Sequence, residues 1–184
     1  MRSNDLFQEA QHSFVEGDLH KSIELFSKAE AEGCNPVNVH LSMGAAYLQL
    51  KEYDHAIGEF EKVLEIDSDN ERGYYYRGIA YLGKGEYENA EKDLTRSIER
   101  NHERGVAFFA RGLVHAELGH EEEAVRDFKT AIAFSDVEVG NFLAEYGSDR
   151  TMFQKSLALI EGERGPLSIV LNENEVEKLK KWIE

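Results

Sequence analysis

The sequence repeats itself with a fixed period of 34 residues. Small residues recur at two phases of this period, and large apolar residues recur at a third. One small phase holds Ala10, Gly44, Gly78 and Gly112, the other holds Ser22, Ala56, Ala90 and Ala124, and the large phase holds Phe26, Phe60, Leu94 and Phe128. A small residue lets two helices approach closely, and a large residue fills the space beside it. One copy of this length cannot bury its own apolar face, so the period predicts a stack of repeats.

Each copy is predicted to form two amphipathic helices joined by a short turn. In the third copy, large apolar residues are dense up to Leu82, and the pattern breaks at Gly85. Apolar residues then return with the i, i+3, i+7, i+11 spacing of one helical face, at Tyr87, Ala90, Leu94 and Ile98. The sequence therefore predicts an all-α fold of stacked helical hairpins.

The period and the alternation of small and large residues resemble the tetratricopeptide repeat (TPR) family. The resemblance covers residues 3–136 and implies a right-handed α-solenoid of four helix-turn-helix repeats, at about 3–36, 37–70, 71–104 and 105–136. The copies depart from the family at the phase where a proline commonly ends the repeat, which here holds Cys34, Ser68, His102 and Asp136. Beyond Asp136 the period fails, and we expect residues 137–184 to form a C-terminal helical cap with a short extended stretch at 166–171.

Charge and hydropathy exclude several classes of partner. The 36 acidic and 21 basic residues give a net charge of −15, which repels nucleic-acid phosphates and anionic membrane surfaces. The sequence has no signal-type apolar segment at its start and no run of 18 apolar residues. We therefore expect no nucleic-acid partner, no membrane insertion and a cytoplasmic location.

Catalytic motifs are absent from the sequence. It has no glycine-rich phosphate loop, no GxSxG and no HExxH. His12 with Glu9 or Glu16, and His120 with Glu123, have the spacing of helical metal ligands, but such pairs arise by chance among 36 carboxylates. We expect a protein that is not an enzyme and has neither a cofactor nor a metal site.

The resemblance also implies a binding groove lined by the first helix of each repeat. Carried over phase by phase, the groove residues are Phe7, Gln11, Leu41, Ala45, Leu48, Arg72, Tyr75, Ile79, Leu82, Phe109 and Leu113. For Leu41, Ile79 and Leu113 a place in the core between repeats is an equal alternative. This apolar set favours an amphipathic helix or an extended hydrophobic peptide as the ligand.

One TPR subgroup grips the acidic C-termini of heat-shock chaperones with a clamp of lysine, asparagine and arginine residues. The matching phases here hold Phe7, Gln11, Ser42, Arg72 and Tyr76. Only Arg72 among them could bind a carboxylate, so we do not expect this chain to bind such a ligand.

The sequence thus predicts a protein–protein interaction scaffold or adaptor that binds a partner peptide in the groove. One alternative is a self-assembling structural protein whose C-terminal tail fills a groove in cis or in trans. Such a protein could form a homo-oligomer. Another is a chaperone for hydrophobic secreted subunits.

Two arginine–aspartate pairs are predicted to join the two helices of a repeat. Arg77 and Asp93 in the third copy, and Arg111 and Asp127 in the fourth, are each 16 residues apart across the hairpin turn. If partly exposed, each ion pair is worth under roughly 1 kcal/mol.

Overall fold

The computed structural model describes residues 3–134 and Glu177, and residues 3–134 form eight helices without a strand among them. The helices are α1 (Ser3–Val15), α2 (Leu19–Ala31), α3 (Pro36–Gln49), α4 (Tyr53–Ile66), α5 (Glu71–Lys84), α6 (Tyr87–Arg100), α7 (Gly105–Leu118) and α8 (Glu121–Phe134). Two helices fall in each 34-residue copy, which confirms the predicted all-α fold of TPR-type helical repeats. None of these helices is both long enough and apolar enough to cross a membrane. The predicted C-terminal cap lies outside the described residues.

The chain divides into two compact units, Met1–Glu86 and Tyr87–Glu184. In the first unit, α1 packs against α2, α2 against α3, α3 against α4 and α4 against α5. In addition α3 contacts both α1 and α5, so the first helices of three successive repeats lie side by side. In the second unit, α7 packs against both α6 and α8.

Polar side chains cap the first turns of α2, α3 and α5. Asp18, Asn35 and Asn70 each accept a hydrogen bond from the backbone N–H three residues further on, at 3.3, 3.2 and 3.0 Å respectively. Pro36 occupies the start of α3, where its missing N–H would have no helical partner. These caps replace the hydrogen bonds that the first turn of a helix lacks, and they set where each helix begins.

The turn inside each hairpin needs one residue in the left-handed conformation. Gly17, Gly85 and Gly119 have φ angles of 82°, 81° and 78°, and the same phase in the second repeat holds Lys51 with a φ of 59°. Lys51 is the one non-glycine residue with a positive φ in the described part of the chain. Because a Cβ atom crowds the following carbonyl there, a lysine costs about 1–2 kcal/mol where glycine costs nothing sterically.

The small and large phases of the period meet inside a repeat. A Cβ atom built on Gly44 would overlap the Phe60 ring, and one built on Gly112 would lie 2.7 Å from Cε1 of Phe128. Both rings are fully buried. The glycines are therefore required for the close approach of α3 to α4 and of α7 to α8.

Candidate binding surface and polar clusters

The predicted groove residues of the first unit differ widely in exposure. Gln11 and Arg72 are exposed and Phe7 and Ala45 are half-buried, whereas the buried members are Leu41, Leu48, Tyr75, Ile79 and Leu82. As the structure stands, a partner can therefore contact Gln11, Arg72, Phe7 and Ala45 without any rearrangement. The burial of Leu41 and Ile79 agrees with the alternative of a core position, and a binding role for the five buried residues stays a prediction.

The exposed groove-phase residues of α1, α3 and α5 are almost all amides. They are Gln11 and Arg72 of the predicted groove, Asn4 and Asn38 at the phase of Arg72, and Gln49 near the end of α3, while Val15 at the phase of Gln49 is the exposed apolar exception. None of them is a carboxylate, although the whole chain carries a net charge of −15. This face of the first unit, which we call the amide face, is thus neutral to positive and offers both hydrogen-bond donors and acceptors.

Aromatic rings pack against residues of the amide face. The Phe7 ring lies 5.3 Å from the ring of Phe26, which is buried. The Arg72 guanidinium lies 6.0 Å from the centre of the Tyr76 ring, and that ring stacks on Phe60 at 5.7 Å. The cation–π contact holds the arginine against an ordered surface while its charge stays accessible to solvent.

In the second unit the predicted groove residues belong to the core of the α7–α8 hairpin. Phe109 and Leu113 are fully buried, and the Phe109 ring packs 5.5 Å from that of Phe128. Substituting either residue would therefore disturb folding as well as any binding. Their contribution to a groove stays a prediction.

A polar cluster centred on the buried residues His40 and Glu59 joins three helices of the first unit. His40 on α3 presents Nδ1 to Glu59 Oε2 on α4 at 2.8 Å, and Nε2 to Glu30 Oε1 on α2 at 3.2 Å. Lys62 donates to Glu59 Oε1 at 2.8 Å, and this hydrogen bond raises the pKa of Lys62. This cluster was not predicted from the sequence, although Glu59 occupies the phase that holds aspartate in repeats three and four.

The predicted bridge of the fourth repeat is present in the second unit. Arg111 donates from Nε and Nη2 to the two carboxylate oxygens of Asp127, both at 2.8 Å, and from Nη1 to Thr95 Oγ1 at 3.1 Å. The side chain of Asp127 is only 5% exposed and that of Arg111 18%, so the small value expected for a partly exposed pair does not apply. The predicted counterpart between Arg77 and Asp93 stays a prediction.

His115 lies next to this bridge and is itself buried. Its Nε2 lies 3.4 Å from Asp127 Oδ2, while its Nδ1 lies 3.8 Å from Glu91 Oε1 and has no hydrogen-bond partner in the described part of the chain. Burial lowers the pKa of His115, and this effect outweighs the two carboxylates, which raise it. The lowered pKa favours the neutral imidazole.

Three potential metal ligands meet at this point. The ligand atoms of Glu91, His115 and His120 all lie within 4.8 Å of one another. No spacing in the sequence predicts this group, because its members come from α6, from α7 and from the turn before α8. Of the pairs with helical ligand spacing, His12 and Glu16 lie 3.8 Å apart, but both side chains are largely exposed.

Two family models match the chain. The one described as "TPR repeat" matches residues 44–85, and the one described as "Tetratricopeptide repeat" matches residues 75–137. The chain belongs to the tetratricopeptide repeat family. The matches include the helices α4 to α8 of the structure and the glycines at both small–large contacts.

Solved TPR structures share this fold. MamA from Desulfovibrio magneticus RS-1 (residues 41 to the end) is 20% identical, covers 72% of this chain and 75% of its own, and superposes with a TM-score of 0.66. YrrB, described as a TPR protein with an unusual peptide-binding site, is 16% identical, with coverage of 72% and 69% and a TM-score of 0.63. The second TPR domain of Spaghetti (RPAP3), bound to an HSP90 peptide, is 29% identical, with coverage of 55% and 94% and a TM-score of 0.54.

Proposed function

We propose that this TPR protein is an interaction scaffold that binds an extended peptide of a partner protein on the amide face. The observation that carries the proposal is the side-by-side arrangement of α1, α3 and α5, with amide side chains and one arginine exposed at the groove phases. A row of amides on three neighbouring helices is a surface that can pair repeatedly with one extended chain.

The chemistry of these side chains suits a peptide backbone. An amide both donates and accepts hydrogen bonds, so residues such as Gln11 and Asn38 can pair with the N–H and C=O groups that an extended chain leaves free. Phe7 and Ala45 are half-buried and add small apolar contacts between the amides. Arg72 would bind a carbonyl or a carboxylate of the peptide.

Two structural neighbours support a peptide as the class of ligand. YrrB is described as having a peptide-binding site, and the RPAP3 domain is bound to an HSP90 peptide. Because the clamp phases of this chain contain a single cation, Arg72, we expect a ligand with apolar and polar residues in preference to an acidic C-terminus. The self-assembly and chaperone hypotheses depend on residues beyond 134 or on an unidentified client, and they remain alternatives.

The proposal is tested with peptides selected on the full chain from a random display library. Their affinities are then measured by fluorescence polarisation for the wild type and for the double variant Gln11→Ala/Arg72→Ala. Both residues are exposed, so the variant should keep its helical content. Two polar contacts of about 1 kcal/mol each predict an affinity that is lower by tenfold or more. Lys21→Ala is the control, since Lys21 is exposed on α2, a second helix.

Three results would contradict the proposed peptide binding. Selected peptides that bind the double variant as well as the wild type would place the binding surface elsewhere on the chain. Selection of peptides with acidic C-termini alone would contradict the expected ligand chemistry. Failure to select any peptide would refute the proposed function.

A further inference from the structure

The cluster of Glu91, His115 and His120 has the composition of a transition-metal site. It offers two imidazole nitrogens and one carboxylate oxygen, all within 4.8 Å of one another. This donor set is one that binds Zn²⁺ in proteins. All three residues belong to the second unit, and two of them are held by the packing of α6 against α7.

The buried imidazole supplies the independent observation. His115 is 6% exposed, and its Nδ1 has no hydrogen-bond partner among the described residues. A buried polar atom without a partner costs about 1–3 kcal/mol, and a bound ion is one of the partners that satisfy such atoms in proteins. The nearest carboxylate oxygen, Glu91 Oε1, is 3.8 Å away, which is too long for a hydrogen bond.

That distance is close to the separation of two ligands on one ion. Metal–ligand bonds of about 2.0–2.2 Å place two ligands of a tetrahedral zinc roughly 3.4 Å apart. Moving Glu91 Oε1 and His115 Nδ1 together by a few tenths of an ångström would meet this geometry. Glu91 is only partly buried and His120 is exposed, so both side chains have room to adjust.

The other side of the His115 ring is arranged as in known metal sites. Its Nε2 faces Asp127 Oδ2 at 3.4 Å, and Asp127 is held in place by the two hydrogen bonds from Arg111. With the proton on Nε2 directed at this carboxylate, Nδ1 keeps its lone pair free for a metal. A carboxylate behind a metal-binding histidine fixes its tautomer and increases its basicity.

We propose that Glu91, His115 and His120 bind one divalent transition-metal ion, Zn²⁺ being the best fit. Asp127 is a positioning residue that acts through His115. Three ligands from the chain leave one tetrahedral position for water or for a donor atom of a partner. The site is separate from the amide face of the first unit and does not depend on the proposed peptide binding.

The test uses the untagged full chain after dialysis against EDTA, titrated with Zn²⁺ by calorimetry and with Co²⁺ by visible absorption. We expect one ion per chain and the strong visible bands of tetrahedral cobalt. Loss of an outer-shell partner alone commonly costs 10- to 100-fold in metal affinity, and loss of a direct ligand costs at least as much, so His120→Gln and Glu91→Gln should each weaken binding by about tenfold or more. His102→Gln is the matched control, because His102 is an exposed histidine of the same unit outside the cluster.

A spectroscopic measurement identifies the ligand atom. Nitrogen-15 spectra of the histidine side chains should show His115 as the Nε2–H tautomer before zinc is added, and a shift of its Nδ1 resonance afterwards. Circular dichroism of each variant checks that it is folded. Equal affinity of His120→Gln and the wild type, a zinc-dependent shift confined to other histidines, or the absence of saturable binding would each overturn the proposal.

Discussion

Replacement of Gly44 by alanine tests the close contact that defines each repeat. In the structure, a Cβ atom at position 44 would lie 2.6 Å from Cζ and 2.9 Å from Cδ1 of Phe60, whereas ordinary contacts begin at 3.4 Å. Phe60 is fully buried, so its ring cannot move aside into solvent. The backbones of α3 and α4 would have to separate, or the ring would have to leave its preferred rotamer.

The direction of the stability change in Gly44→Ala follows from two opposing contributions. Alanine is the better helix former, and this preference is worth about 1 kcal/mol in a helix interior. Overpacking a well-packed core costs about 1–3 kcal/mol. Since the ring must move by most of an ångström, we expect the upper part of that range, and therefore a net loss of about 1–2 kcal/mol.

Gly58 provides a matched control in the same repeat. It lies inside α4, and a Cβ atom there would meet nothing within 4 Å. Gly58→Ala should therefore show the helix preference alone and stabilise the protein by about 0.5–1 kcal/mol. Urea unfolding followed by circular dichroism measures both variants, and a constant slope with denaturant shows that the extent of unfolding is unchanged.

The double variant Gly44→Ala/Phe60→Leu isolates the contact itself. A smaller side chain at position 60 makes room for the methyl group, so Gly44→Ala should be less harmful in that background. If Gly44→Ala raised the urea midpoint as Gly58→Ala does, the interpretation of the small and large phases would be wrong.

Two further substitutions test individual positions. Lys51→Gly should raise stability by about 0.5–1 kcal/mol in urea unfolding, because it relieves left-handed strain of about 1–2 kcal/mol at the cost of some backbone entropy; a lower midpoint would show that the lysine makes a compensating contact. Arg111→Ala should cost about 3 kcal/mol or more, because it leaves the buried Asp127 carboxylate without its two hydrogen bonds. Adding Asp127→Asn should recover part of that loss, and an equal loss without recovery would contradict the charge argument.

Much of the fold was predictable because it is built from local and periodic signals. Gly44 and Gly112, their partners Phe60 and Phe128, and the turn glycines recur at multiples of the 34-residue period, which is visible in the sequence alone. The same periodicity paired Arg111 with Asp127 correctly. A repeat makes these contacts predictable, since each copy forms the same contact at the same phase.

The candidate sites were less predictable. The phases of Tyr75, Ile79 and Phe109 assign them to first helices, but the degree of burial depends on what packs over each helix face, which no local pattern contains. The amide face became visible only when exposure separated Gln11 and Arg72 from their buried neighbours. The peptide-binding role of all these residues stays a proposal.

The sequence by itself determined the helical repeats, their turns and the glycine–phenylalanine contacts, because all of these follow from residue spacing along the chain. Only the tertiary structure decided which groove-phase residues are accessible and which polar residues meet. Glu91, His115 and His120 are brought together by the packing of α6 and α7 and by the turn before α8. Such a cluster has no sequence period, since its geometry depends on side chains that approach from different elements of the fold.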